Sequence, residues 1–483
     1  MTTVLRGGRL VDPANGIDEL ADVAIDGGKV VATGPDLTGD SAIDVSGLIV
    51  GPGFVDLHSH THSVAGHRLQ AFDGVTTALD LEAGLFPVAK AYADAARAGR
   101  PLNYGFAASW GGARSRVLAG VEQDADFHKA LDVLGDPRWQ RSSTPPELAS
   151  WLDLLERELA DGGLGIGVLM GYAPRSDPAE LVAVGRLAER SNVATYTHVR
   201  ELVEADPTTP ADGSTELTTV AAETGARMHH CHVNSTSRRH IDRVLATIAD
   251  SQQAGARVTV EAYPYGAGST GIGAFFLAPQ RLAAWGLVPQ SLVVVATGER
   301  IATEARLREL RANDPGTTVL VEFLDEHVEA DRLLLRRSLS FPDAIIASDA
   351  MPVLWPDGRW ESEDWPLPPG GSTHPRTAGT FTKTIRLMVG GGEWTWREAF
   401  RRCAALPARV LEYCPAMTRK GHLGVGADAD VVVLDPTVVT DQATFHDSTA
   451  TASGVRHLLV NGEPVIRDGE LVPDARPGRP VRN

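Results

Sequence analysis

The chain has 483 residues, 43% of them hydrophobic and 22% charged, and its 45 Lys plus Arg against 62 Asp plus Glu leave a formal charge of -17. So acidic a surface repels nucleic acid and anionic membranes, no run approaches the roughly 18 apolar residues of a membrane span, and the opening MTTVLRGGRLVDP has charge and glycine where a secretory signal needs an apolar core. Three cysteines, Cys231, Cys403 and Cys414, are too sparse for a disulfide framework, so the expectation is a cytoplasmic protein with room for one large core and a second smaller one.

Residues 1–50 alternate short apolar runs with glycine turns (TTVLRGGRLVDP, ADVAIDGGKVVATG, AIDVSGLIV), which predicts small antiparallel strands. The same texture returns in GADADVVVLDP, residues 426–436, and GVRHLLVNGEPVIRDGELV, residues 454–472. Neither end can bury a core alone, so both are expected to combine into one small β-sandwich, with residues 1–50 and 423–483 flanking a domain of residues 51–422. Within that domain, residues 88–99, 145–162 and 178–192 read as amphipathic helices, and GIGVLM, VATYTHV, ARMHHCHV, ARVTVEAY and DAIIASDA read as strands. Strand–helix alternation over this length suits a (β/α)8 barrel or an open doubly wound sheet. Polar residues at the ends of successive strands favour the TIM-like barrel, which gathers its chemistry on one face. Residues 278–340 look polar and helical, as a lid or insertion would, and the segment of residues 351–371 carries Trp355, Trp360 and Trp365 in a loop placed to line a substrate pocket or pack on a subunit of a homo-oligomer.

GPGFVDLHSHTH, residues 51–62, spaces His58, His60 and His62 by two, which puts them on one face if the strand runs that far. His198 ends a later strand with Arg200 and Glu201 behind it. In ARMHHCHV, His230 and His232 share a face while His229 points away, and Asp349 closes AIIASDA as a candidate general base. Imidazoles from three strands with one late aspartate make a hydrolytic metal centre, and borderline-soft nitrogen donors favour Zn2+, as one or two ions, over other divalent transition metals.

These residues, with FDGVTTA (72–78), GYAP (171–174), YTHVRE (196–201), HHCHVN (229–234), EAYPYGAGST (261–270), ASDA (347–350), HPRTAGTF (374–381), LPARVL (406–411) and GADADVVVLDPTVVTDQATF (426–445), resemble the N-acyl-D-amino-acid deacylases (D-aminoacylases) of the amidohydrolase superfamily over nearly the whole chain. The resemblance implies a (β/α)8 barrel with a β-sandwich from both termini. It also implies His58 and His60 on the more buried metal, His198 and His232 on the other, and Asp349 touching the metal and moving a proton. Tyr172 of GYAP and Tyr263 of YPY would contact the substrate, and Arg376 of HPR would pair with its carboxylate. The substrate implied is a small carboxylated amide, an N-acyl-D-amino acid. A cyclic amide or imide of the hydantoinase or dihydroorotase type, and a ligand-binding relative without turnover, are the alternatives.

Two departures from that family stand out. Its asparagine–cysteine pair after GVTT is replaced here by Glu82 and Ala83, so the missing thiolate ligand has Glu82 as its substitute, provided a bulge or the longer side chain brings the carboxylate inward, with Asp80 as the weaker candidate. No lysine near GIGVLMGYAP offers a bridging ligand, and Asn234 stands where a lysine commonly follows the metal histidine, which removes the support for D-aspartyl or D-glutamyl preference.

Overall fold

Eight parallel strands organise the computed structural model, which describes residues 1–483. They are β1 (Phe54–Asp56), β2 (Val75–Leu85), β3 (Asn103–Ser109), β4 (Ile166–Leu169), β5 (Ala194–His198), β6 (Arg227–His230), β7 (Val258–Ala262) and β8 (Ile345–Ile346), and they neighbour one another in chain order. A parallel bridge between Ser59 and Ala350 joins the last strand back to the first, giving a nearly closed TIM-like barrel. Strands buried on both faces read as continuous apolar runs, as β4 (IGVL) does, because the helices between them cover the outer side. The expected helices appear as Val88–Ala98, Pro145–Ala160 and Pro178–Arg190, the last started by the Asp177 carboxylate accepting from the Ala179 N–H.

The chain divides into two compact units. The first comprises Met1–Leu79, Asp94–Gly105 and Ile345–Asn483. In it a seven-stranded sheet joins the two ends of the sequence at one seam: Val431–Leu434 lies antiparallel to Ile49–Pro52, with Val432 opposite Gly51. A four-stranded sheet of Lys29–Gly34, Asp22–Asp26, Thr3–Arg6 and Ser41–Asp44 shares its core, where Leu5, Val23 and Val30 meet Leu10, Val50, Val431 and Val433. Neither terminal segment has enough apolar surface to close this core alone. Trp355 is buried in a second cluster with Leu69, Val353 and Ala378, and the half-buried Trp365 stacks on Phe72 at 5.6 Å, so both tryptophans pack against the chain itself.

The second unit, Asp80–Ala93 and Phe106–Ala344, contains a three-stranded antiparallel sheet in the order Ala267–Gly271, Thr318–Glu322, Leu292–Val294. Residues 278–340 are therefore not simply helical: TTVLVE is a β-branched run that pairs with the strand following YPY, and SLVVVA pairs with TTVLVE on its other side. No helix is long and apolar enough to cross a membrane.

Candidate metal centre

In the first unit, β1 stops at Asp56, so His58, His60 and His62 lie in the turn beyond it rather than on an alternating strand. The turn aims His58 and His60 at each other, with their Nε2 atoms 3.0 Å apart and both residues buried. Asp349 Oδ1 lies 3.5 Å from His58 Nε2 and 3.7 Å from His60 Nε2. Donor atoms bound tetrahedrally to Zn2+ stand about 3.3 Å apart, so these three atoms have the spacing and chemistry of a cation site. Asp349 takes a left-handed backbone, φ 52°, between Ser348 and Ala350, whose hydrogen bonds to Asp56 and to the backbone of His58 and His60 fix the turn from both sides.

In the second unit, Glu82 on β2 brings its carboxylate to the ends of β5 and β6. Oε1 is 3.0 Å from His198 Nδ1 and 2.6 Å from His232 Nε2. The three residues have ligand atoms within 4.8 Å of one another. Asp80 instead accepts from the Gly84 N–H at 3.1 Å.

The reading of HHCHV by strand alternation fails for a similar reason. β6 ends at His230, and His232 stands at the start of the following short helix with a left-handed φ of 31°. His230 turns to Ser214 Oγ at 3.0 Å, and burial pushes its pKa down to about 3, which keeps it neutral. His232 is held by Ser235 Oγ on Nδ1 at 3.0 Å and by its own N–H donating to Glu261 Oε1 at 3.2 Å, while Glu261 Oε2 pairs with His229 Nε2 at 2.9 Å. Fixing a ligand's second nitrogen sets its tautomer and ring orientation.

Of the substrate-binding candidates, Tyr172 is buried with its hydroxyl 2.9 Å from Thr270 Oγ1 and its ring 4.6 Å from that of His198, and the Tyr263 ring is 6.5 Å from that of His232. Asn234 is buried and accepts from the Tyr263 N–H at 3.3 Å, so it braces the YPY backbone. Arg376, expected to pair with a substrate carboxylate, is 0% exposed, and its Nη2 lies 2.8 Å from Asp349 Oδ1. A motif specifies the guanidinium but not which carboxylate it meets, and here the chain supplies one.

Sequence reading passed over several contributors. Asp56 is buried and accepts from the His58 N–H, the Gln70 amide, the Ser348 N–H and the Ser348 hydroxyl; burial raises its pKa to about 6, leaving it mostly ionised at neutral pH. Glu261 and Gly171 were also missed. A Cβ at Gly171 would meet the His198 ring at 2.5 Å. A carboxylate inside an otherwise apolar strand, as in FVD and VTVEA, was the available signal for Asp56 and Glu261.

Residues 41–466 match the sequence model described as "Amidohydrolase family". The chain is 26% identical over 484 residues to a D-aminoacylase of Alcaligenes xylosoxydans xylosoxydans, covering 96% of this chain and 94% of that protein. It is 28% identical over 518 residues to an N-acyl-D-glutamate deacylase of the same organism, covering 99% and 96%. Among solved structures, an N-acyl-D-glutamate deacylase from Bordetella bronchiseptica, complexed with zinc and a phosphonate inhibitor, superposes with a TM-score of 0.76 at 23% identity, covering 100% of this chain and 99% of that one. At that identity the likeness carries the fold.

Proposed function

Because this chain belongs to the amidohydrolase family, we propose that it is a metal-dependent deacylase that hydrolyses the amide bond of an N-acyl-D-amino acid to a carboxylate and the free D-amino acid. The observation that carries the reading is the convergence of the Glu82 carboxylate on His198 and His232. Nearly full-length similarity to three deacylases of N-acyl-D-amino acids supports it.

In this reading His58, His60 and Asp349 hold one cation and Glu82, His198 and His232 the other, with Zn2+ the best fit to nitrogen and carboxylate donors. Zn2+ held there would supply Lewis-acid chemistry for the scissile carbonyl and would lower the pKa of a water. Asp349 takes the proton of the attacking water and returns it to the leaving amine nitrogen, so that water is consumed and a carboxylate and an amine are released. Arg376 holds the Asp349 carboxylate, and a guanidinium with five N–H donors has the capacity to hold a substrate carboxylate as well. Tyr172, braced on Thr270, donates to the carbonyl oxygen as negative charge develops on it, and Tyr263 contacts the substrate beside His232. The three buried free cysteines agree with residence in the reducing cytoplasm.

The test is amine release from a panel of N-acetyl and N-formyl D- and L-amino acids by protein reconstituted with zinc. Turnover confined to D-isomers is expected. Ring opening of hydantoins or dihydropyrimidines, with every linear amide left intact, would replace this reading by a cyclic amidohydrolase.

A further inference from the structure

We propose that Asp56 is a positioning residue for the metal centre, a single buried carboxylate that sets both the His58 ligand turn and the backbone turn presenting Asp349. The inference rests on His58 as a ligand and Asp349 as the proton carrier in the reading above. Its geometry lies within one compact unit of the chain. Asp56 Oδ1 accepts from the His58 N–H at 3.2 Å and from the Ser348 N–H at 2.9 Å. Asp56 Oδ2 accepts from Gln70 Nε2 at 2.7 Å and from the Ser348 hydroxyl, and Gln70 in turn accepts from Ser59 Oγ at 2.9 Å. One carboxylate thus ties the residue two places beyond it to a residue 292 positions away along the chain.

The arrangement answers a mechanical need. Asp349 sits at φ 52°, where a residue with a Cβ is disfavoured, and such a conformation persists only where its neighbours are fixed. Ala350, on one side, is pinned by donating to the His58 carbonyl at 3.2 Å and accepting from the His60 N–H at 2.8 Å. Ser348, on the other, is pinned by Asp56 through both its N–H and its hydroxyl. Only a carboxylate has the acceptor capacity for all four donors: an amide in its place turns one acceptor oxygen into an NH2 donor facing other donors. The donors to Asp56 are two backbone N–H groups and the side chains of Gln70 and Ser348, so its influence passes through backbone placement.

The experiment is Asp56→Asn, with Ser348→Ala as a milder companion that keeps the Ser348 N–H bond. Three quantities are measured: zinc affinity by competition with a chromophoric chelator, kcat and KM on the best substrate, and thermal melting of the zinc-loaded and metal-free forms. The expected result for Asp56→Asn is zinc affinity lower by about 10- to 100-fold and kcat lower by at least a similar factor, with KM within about threefold. Ser348→Ala should show a smaller loss of kcat in the same direction. A general structural defect would instead lower the melting point of both forms and spare the zinc affinity of the folded fraction. Zinc affinity and kcat both within about twofold of the parent in Asp56→Asn would overturn the proposal, and if that protein fails to fold, the same result in Ser348→Ala would do so. Chelator competition needs no substrate, so absence of deacylase activity in the parent would sink the reaction while leaving Asp56 to be judged on metal affinity.

Discussion

Glu82 is the residue on which the metal assignment turns, and Glu82→Gln is its most direct perturbation. Its Oε1 faces two imidazole nitrogens, at 2.6 and 3.0 Å, in a buried setting. Hydrogen bonds to a charged group contribute about 1.5–3 kcal/mol each, so losing the charge from both contacts costs the metal-free fold roughly 3–6 kcal/mol, and an uncharged amide is also the weaker donor to a cation. The assay is metal content by atomic emission after dialysis against a weak chelator, alongside kcat and melting temperature. We expect Glu82→Gln to retain about one ion or fewer per chain, to lose most of its turnover, and to lose most of the stabilisation that added zinc gives the parent. Glu82→Ala should be worse. Ala83→Cys in the Glu82→Gln background places a thiolate at the next buried strand position and should restore part of the metal content. If Glu82→Gln keeps the parent's zinc stoichiometry and rate, the carboxylate is not a ligand and the reasoning from its two contacts is wrong.

Gly171→Ala puts a methyl 2.5 Å from both the His198 ring and the Val199 carbonyl; the resulting strain of about 1–3 kcal/mol should displace the ring, read as weaker zinc binding with little change in the melting of metal-free protein. Arg376→Met deprives Asp349 of its buried partner, which should destabilise the fold by about 3–5 kcal/mol by the usual cost of breaking a buried pair and lower kcat as well as raise KM; a change in KM alone would mean that Arg376 meets only the substrate. Stability should also carry the signature of Asp73, whose carboxyl burial pushes up to about 7 against the hydrogen bonds from Thr382 and Phe381. Because the folded pKa is raised, the native state binds the extra proton between about pH 4 and 7, so this contribution is full below pH 4 and is lost as pH rises to 7, at a slope of at most about 1.4 kcal/mol per unit. Urea titrations across that range should show a flatter slope for Asp73→Asn, and an unchanged slope would mean that Asp73 titrates alike in both states.

Local periodicity was enough to read the alternation of strands and helices, and poverty of apolar surface at each end was enough to read one sandwich shared by both termini: burial demands at that scale are written in which residues are apolar and at what spacing. His58, His60, His198, His232 and Asp349 stood out as candidates because few functions explain so many imidazoles with a carboxylate at strand ends, and Glu82 only through the departure from the deacylase pattern after GVTT. Their directions were not legible. Alternation along a strand cannot say where the strand stops, and β1 stops at Asp56 and β6 at His230, so the geometry of the candidate ligands belongs to turns in which His232 and Asp349 adopt left-handed backbones. Such conformations cost energy locally and persist because distant groups hold them. Asp56 grips Ser348 across 292 positions and Glu261 grips the His232 N–H across 29, while Arg376 finds Asp349. Pairings at that separation depend on which strand ends the nearly closed barrel brings side by side, and no window of sequence contains them.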